Sequence, residues 1–335
     1  MNRYKIEYLA DSEIGIWDEF LSNSQNASLF NSIMWSDILL EMFGLERRVI
    51  SVTDNGIIIA GLIIHYKKKL GLKVITRPPF TLYSGIISSL PLNEKKQKLT
   101  EHTIEFSDMI IKNIMREFKF VDINSPLNDD DMRSFIWNGW LVTPQYTYIL
   151  ELGDKERLWN NFSSSLRRKI RHCEEENFLV SPETDPERLL DFQIESYSRS
   201  GLKPLMSKTD FIKLVDLARK KNICRLYSVS SKDKVHSMRA ALTWKNKVYD
   251  WIAGTATEHL TSNATHFLVY DILKKFSDEG YSTFDFLGAN TKTIADFKRS
   301  FGGNLCPYYN TVYYSSPAIK ALIGINNLIN RLSRH

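Results

Sequence analysis

Apolar residues recur at helical spacing in Ile33-Met-Trp-Ser-Asp-Ile-Leu-Leu-Glu-Met-Phe43, where Trp35, Ile38, Leu39 and Met42 share one stripe and Gly44 can close the helix. The period then shortens to two. Strands are predicted over 48–53 and 57–66, joined by the hairpin turn Asp54-Asn-Gly56. Pro78-Pro79 stops regular structure, and a strand or extended loop resumes over 82–87. A helix over 99–117, a strand over 120–123, a short helix near 130–137 and a strand over 145–152 complete a first lobe.

The second half repeats this mixture. Ser163 to Ser165 can cap a helix carrying the basic run Arg167-Arg-Lys-Ile-Arg171. Helices over 186–198 and 208–222 follow, the first with Pro186 in its first turn. Strands are predicted over 224–230, 234–244 and 247–254, with Lys245-Asn246 as a tight turn. The loop 254–263 feeds a helix over 264–278, a strand over 282–286, a brief helix from Thr293 and a strand over 308–314. In the tail, 318–332, apolar residues at 319, 322, 325, 328, 329 and 332 keep helical spacing, and the flanking charges Lys320, Arg331 and Arg334 include no acid. Two uses of such a stripe stand: docking on the protein's own core, or shallow attachment to an anionic membrane surface.

Part of the chain occurs twice, 163 residues apart. Glu105-Phe-Ser-Asp-Met-Ile-Ile-Lys-Asn-Ile-Met-Arg-Glu-Phe-Lys-Phe-Val-Asp-Ile-Asn124 is echoed by Leu268-Val-Tyr-Asp-Ile-Leu-Lys-Lys-Phe-Ser-Asp-Glu-Gly-Tyr-Ser-Thr-Phe-Asp-Phe-Leu287. Without a gap, Asp122 then matches Asp285, Gly139 matches Gly302, Pro144 matches Pro307 and Tyr146 matches Tyr309. At the same offset Phe135 faces Lys298, a ring exchanged for a cation. The duplication predicts an α/β (α+β) fold of two similar lobes, each a central mixed sheet flanked by helices, over 1–152 and 153–316, with a C-terminal amphipathic helix over 317–335. The divergent cation makes the second lobe the expected workplace.

Composition narrows the function classes. A chain of 335 residues with 43% hydrophobic content can bury two ordinary cores. Its 44 basic and 39 acidic residues leave a net charge of +5, which favours an anionic partner without demanding a polyanion. Cys173, Cys224 and Cys306 form no CxxC pair and the seven histidines are scattered, so no metal site is expected and the thiols read as reduced. The start lacks the apolar run of a signal peptide and no apolar segment reaches bilayer length, which predicts a cytoplasmic protein, with the inner membrane face as a possible station. Neither GxGxxG, GxxxxGK[ST] nor GxSxG is present, leaving no motif for dinucleotide binding, P-loop binding or a hydrolase elbow.

Several residues are candidates for chemistry, each with a plainer alternative. Asp285 ends a strand before Phe286-Leu-Gly-Ala-Asn290, where Gly288 lets backbone approach a ligand; it either orients or deprotonates an amine, or caps the turn. Lys298, in Asp296-Phe-Lys-Arg-Ser-Phe-Gly-Gly303, either holds an anion or oxyanion or is a solvated surface lysine. Arg167 and Arg171 share a helical face suited to a diphosphate, or else belong to a solvated face balanced by Glu174, Glu175 and Glu176. Arg77 and Tyr83 can present a guanidinium and a phenol to a cleft, or pack beside Pro79.

Taken together, Trp35, the hairpin Asp54-Asn-Gly-Ile-Ile-Ile-Ala-Gly-Leu62, the run Ser163-Ser-Ser-Leu-Arg-Arg-Lys-Ile-Arg171 and the late segments Phe284-Asp-Phe-Leu-Gly288 and Phe297-Lys-Arg-Ser-Phe-Gly302 resemble the FemAB-like branch of acyltransferases with the Gcn5-related N-acetyltransferase (GNAT) fold, including the BioF2-like group. The resemblance implies tandem GNAT-like lobes and transfer of an activated acyl or aminoacyl group to an amine on a cell-envelope, peptidoglycan or surface-polysaccharide precursor. It places Lys298, Phe301 and Gly302 in the late motif near the substrate or donor site, and Arg167 and Arg171 in the early basic motif. The donor stays open between acyl-CoA and aminoacyl-tRNA, because 254–263 is not a Gly-rich pyrophosphate loop and no long helical hairpin is inserted. Two other classes compete: a non-catalytic module for a glycan or nucleotide-sugar, and a tRNA or other nucleic-acid binder, whose affinity would fall steeply with salt.

Overall fold

The computed structural model describes residues 3–69, 71–89, 94–129, 131–199 and 201–332, with side chains to position 325. In chain order the strands are β1 (Tyr4–Leu9), β2 (Glu46–Asp54), β3 (Ile57–Lys69), β4 (Leu72–Ile75), β5 (Ile87–Ser88), β6 (Phe120–Asn124) and β7 (Leu141–Glu151). They continue with β8 (Leu179–Glu183), β9 (Cys224–Ser231), β10 (Lys234–Trp244), β11 (Lys247–Thr255), β12 (Thr283–Asp285) and β13 (Asn304–Tyr314). The first helices are α1 (Ile14–Ser22), α2 (Ile33–Phe43), α3 (Lys96–Glu117), α4 (Arg133–Trp137), α5 (Lys155–Asn161) and α6 (Ser164–Glu175). They are followed by α7 (Pro186–Arg199), α8 (Lys208–Lys220), α9 (Ala264–Asp278), α10 (Lys292–Arg299) and α11 (Pro317–Leu332).

The local signals act as their chemistry requires. The Ser32 hydroxyl accepts from Trp35 N at the start of α2, and Gly44, with φ +57°, closes it by donating to the Leu40 carbonyl. Ser163 accepts from Leu166 N to begin α6. Asn55 and Gly56 both take positive φ in the β2–β3 turn. Five elements lie outside the pattern-based expectation: β1, α1, β4, α5 and β8. The strand β8 alternates only between half-buried and exposed side chains, so it carries little hydrophobic signal. Position 130, where the short helix was expected to begin, lies outside the described residues.

The chain forms two compact units, and their limits differ from the predicted lobes. The first comprises 1–145 with 307–335, and the second 146–306. In the first the strand order is β1-β2-β3-β4-β6-β13, with β5 on β3; in the second it is β8-β9-β10-β11-β12-β7. Each has three antiparallel neighbours, then one parallel pair, β4 with β6 or β11 with β12, then an antiparallel strand. The closing strand of each unit comes from the other copy of the repeat. β7 pairs with β12 through Ile149, Leu150 and Glu151, whereas β13 pairs with β6 from Asn310 to Tyr314.

Each sheet carries helices on both faces. In the first unit Phe106, Ile110, Ile111 and Ile114 of α3 pack on Ile50, Val52, Leu62 and Ile64. On the other face Gly61, having no side chain, lets the indole of Trp17 lie against the strand. In the second unit Leu166, Ile170 and Cys173 of α6 and Leu268, Ile272 and Phe276 of α9 cover Tyr227, Val229, Val248 and Phe284. The helix α7 packs on β10 and β11 outside that core. The backbone of α11 is helical as predicted; positions 328, 329 and 332 of its expected stripe, and Arg331, have side chains outside the described set, and Arg334 lies beyond it.

Candidate functional site

In the second unit β11 and β12 pair only from Lys247 to Tyr249 against Thr283 to Asp285. β11 then runs on to Thr255, while its register with β10 shifts between Ala240 and Ala241, which makes Trp251 the bulged residue. The parted strands border a cavity of about 570 Å³. Arg239, Asp250 and Trp251 line it from the sheet, Asn263, Thr265 and His266 from the start of α9, and Phe297 and Lys298 from α10.

Lys298 is buried, and its ammonium donates to the carbonyls of Phe286 at 2.6 Å, Leu287 at 3.4 Å and Gly288 at 2.6 Å. Those three acceptors match its three N–H groups. Leu287 and Gly288 both have positive φ, +52° and +84°, so the cation clamps a tight turn. Burial, opposed in part by Asp250, and assisted by Arg239, lowers its pKa to about 8. Asp285 holds the same turn from the other polarity: its Oδ1 accepts from Leu287 N at 2.8 Å and from the Thr147 hydroxyl at 2.7 Å. Asp285 is 4% exposed and is not among the residues lining the cavity. The carboxylate on the wall is Asp250.

Asp250 and Arg239 form an ion pair with side-chain exposures of 5% and 7%. The guanidinium lies 5.4 Å from the Phe297 ring centre. Pattern reading passed over this pair, although the signal was present: each charge interrupts a strand that is otherwise buried, in Met238-Arg-Ala-Ala-Leu242 and Val248-Tyr-Asp-Trp-Ile252. An unpaired charge cannot be kept there, so two such interruptions on neighbouring strands imply one another. His266 was missed as well. Burial, with Lys169 and Arg239 nearby, pushes its pKa down to about 4. The Lys169 ammonium, a pure donor, reaches His266 Nε2 at 3.3 Å, which leaves the proton of the neutral ring on Nδ1.

The basic run is divided among different tasks. Arg167 donates to the carbonyls of Trp159 at 3.4 Å and Asn160 at 3.1 Å, closing the C-terminal end of α5, and Arg171 lies 5.8 Å from the Trp159 ring centre. Neither lines the cavity; Lys169 reaches His266, which does. Phe301 is fully buried among Phe162, Phe286 and Phe297. Gly302 has φ +74°, and a Cβ there would stand 2.2 Å from the Asn161 carbonyl oxygen, so glycine is required by the close approach of α5. It borders a separate, smaller cavity of about 280 Å³.

Arg77 and Tyr83 belong to the first unit. Arg77 Nε pairs with Asp122 at 2.9 Å. The Tyr83 ring is 1% exposed and meets Phe30 and Tyr308 edge-on, so it packs in a core and does not face a cleft. Where the second unit has Lys298, the first has Phe135, buried against Trp140, which in turn stacks on Tyr313. Among the described residues no group of three or more His, Cys, Asp and Glu is placed to hold a metal, and no helix is long and apolar enough to cross a membrane.

The comparisons agree with this architecture. The model of the acetyltransferase (GNAT) domain matches residues 160–299, the span that contains α6, the parted strands and Lys298. The crystal structure of FemX is similar at 14% identity and a TM-score of 0.66, over 90% of this chain and 96% of that one. The C-terminal domain (DUF2156) of a putative lysylphosphatidylglycerol synthetase from Agrobacterium fabrum is similar at 11% identity and a TM-score of 0.53, over 94% and 96%. A tandem GNAT protein from the clavulanic acid biosynthesis pathway gives 10% identity and a TM-score of 0.53, over 94% and 99%. No curated protein sequence matches the chain. With the strands of both units in one order and a GNAT domain over 160–299, the chain has the fold of the GNAT superfamily, built in tandem and similar to that of FemX.

Proposed function

We propose that this chain is an acyl- or aminoacyltransferase that moves an activated acyl group to an amine on a cell-envelope, peptidoglycan or surface-polysaccharide precursor. The observation that carries this reading is the parting of β11 and β12 over a cavity walled by Lys298, Arg239 and Asp250. Similarity to FemX and to the lysylphosphatidylglycerol synthetase domain, whose name couples an aminoacyl group to a lipid, supports an envelope acceptor over a small soluble one. The donor is an acyl-CoA or an aminoacyl-tRNA, and no metal takes part.

The chemistry asks little of the protein. The amine nitrogen forms a bond to the carbonyl carbon, the thioester or ester bond breaks, and the amine loses a proton, so alignment and charge stabilisation suffice. The backbone of β11 beyond Tyr249, freed from β12, offers N–H groups to the oxyanion. Asp250, paired with Arg239, orients the amine, the task that sequence reading gave to Asp285. Lys298 and Asp285 act as positioning residues through the turn 286–288, and the buried ammonium adds positive potential at the wall. The proton passes through water at the open mouth to the leaving sulfur or oxygen, which departs as the thiol or the hydroxyl.

A non-catalytic module for a glycan or nucleotide-sugar is the second reading. It is favoured by one fact: Lys298 spends its three donors on carbonyls, and Asp250 and Arg239 engage each other. The deciding experiment incubates the purified protein with acyl-CoA or charged tRNA and amine-bearing envelope precursors, then follows product mass. An amide product that Lys298→Ala lowers at least about a hundredfold supports the enzyme. Precursor binding without transfer from either donor supports the module.

A further inference from the structure

On the helix α11 Leu322 is 40% and Ile325 57% exposed, whereas Ile319 and Ile323 are half-buried. At 100° per residue, positions 322, 325, 329 and 332, all Leu or Ile, fall within about 80° of one another, so the sequence continues this stripe to the end of the helix. Its charge is one-sided. After Asp296 the chain contains no acid, while Lys320, Arg331 and Arg334 accompany the helix. Sixteen residues make a rod of about 24 Å, short of the ~30 Å hydrocarbon core, so the helix is too short to cross a bilayer.

We propose that α11 docks the protein on an anionic phospholipid surface, with Leu322 and Ile325 entering the acyl boundary and the cations drawn to the headgroups. Apolar burial alone gives reversible binding; the absence of any acid makes that binding lipid-selective, because every charge on the segment is attracted and none repelled. The helix is about 10 Å across, comparable with the screening length at ordinary salt, so even cations on its outer side contribute. The inference is independent of the chemistry assigned to the second unit.

The test is co-sedimentation of the whole protein with vesicles of phosphatidylcholine alone and of phosphatidylcholine containing about 30% phosphatidylglycerol. The expected result is binding to the anionic vesicles only, lowered at least about tenfold by Leu322→Glu with Ile325→Glu and weakened on raising NaCl from about 50 to about 500 mM. Both side chains are exposed, so an unchanged thermal midpoint is expected for the variant. No sedimentation with either vesicle, equal binding to neutral vesicles, or anionic binding untouched by the double substitution overturns the proposal. A dimer in light scattering that the same substitution dissolves also overturns it, in favour of a second copy as the occupant.

Discussion

The ammonium of Lys298 is held where water is scarce, and its titration near pH 8 follows from that burial before any neighbouring charge is considered. Between about pH 8 and the ordinary lysine value of 10.5, the unfolded chain keeps a proton at this side chain that the folded chain has released. Raising the pH through that window therefore stabilises the fold, by up to about 3 kcal/mol from this residue. Urea unfolding at pH 7.5, 9 and 10 should show a rise in midpoint that Lys298→Met flattens. A parallel rise in the variant would assign the window to other groups. Single residues also mark the limit of pattern reading. The substitution of Lys298 for Phe135 was visible as a change of chemistry between repeats, but that its cation faces three carbonyls depends on a turn bent by Leu287 and Gly288.

At the scale of elements, the ion pair Asp250–Arg239 joins β10 to β11 beside their bulge. Removing one partner strands a buried charge, so Asp250→Leu or Arg239→Met alone should cost about 3–5 kcal/mol, whereas the apolar double replacement Arg239→Met with Asp250→Leu should recover most of the loss. Chemical denaturation of the four proteins in a double-mutant cycle measures this, and additive losses would mean that the two groups do not depend on each other. Most element boundaries were legible because capping and turn residues act within a few positions: Gly44, Asn55 and Ser163 each perform the expected local task. The basic run of α6 was legible as a helix, but its partners were not. Arg167 finds α5 carbonyls and Lys169 finds His266, and neither partner lies within one helical turn of it.

For the whole molecule, the repeat is kept in the coordinates to the residue: β7 and β13 span Leu141–Glu151 and Asn304–Tyr314, each bound shifted by the same 163 positions. Their placement is exchanged, since β13 serves β6 and β7 serves β12. A fragment cut at the expected lobe boundary, residues 1–152, therefore lacks the strand that pairs with β6 and leaves an open sheet edge. It should lack cooperative unfolding and aggregate, and co-expression with 153–335 should restore a soluble species, as followed by circular dichroism and light scattering. A cooperatively folding 1–152 would show that the exchanged strand is dispensable.

What the sequence by itself determined was local or repeated: most of the elements, the helix stops, the duplication, and the one position where a ring became a cation. Which sheet edge received each closing strand was decided only in three dimensions, because alternation along a strand specifies its faces and not its neighbour. The same holds for the cavity. Titratable side chains at 239, 250, 266 and 298 are scattered over 60 positions of sequence, and only the burial of each, set by the packing around β11 and α9, decided which would pair and which would line the opening.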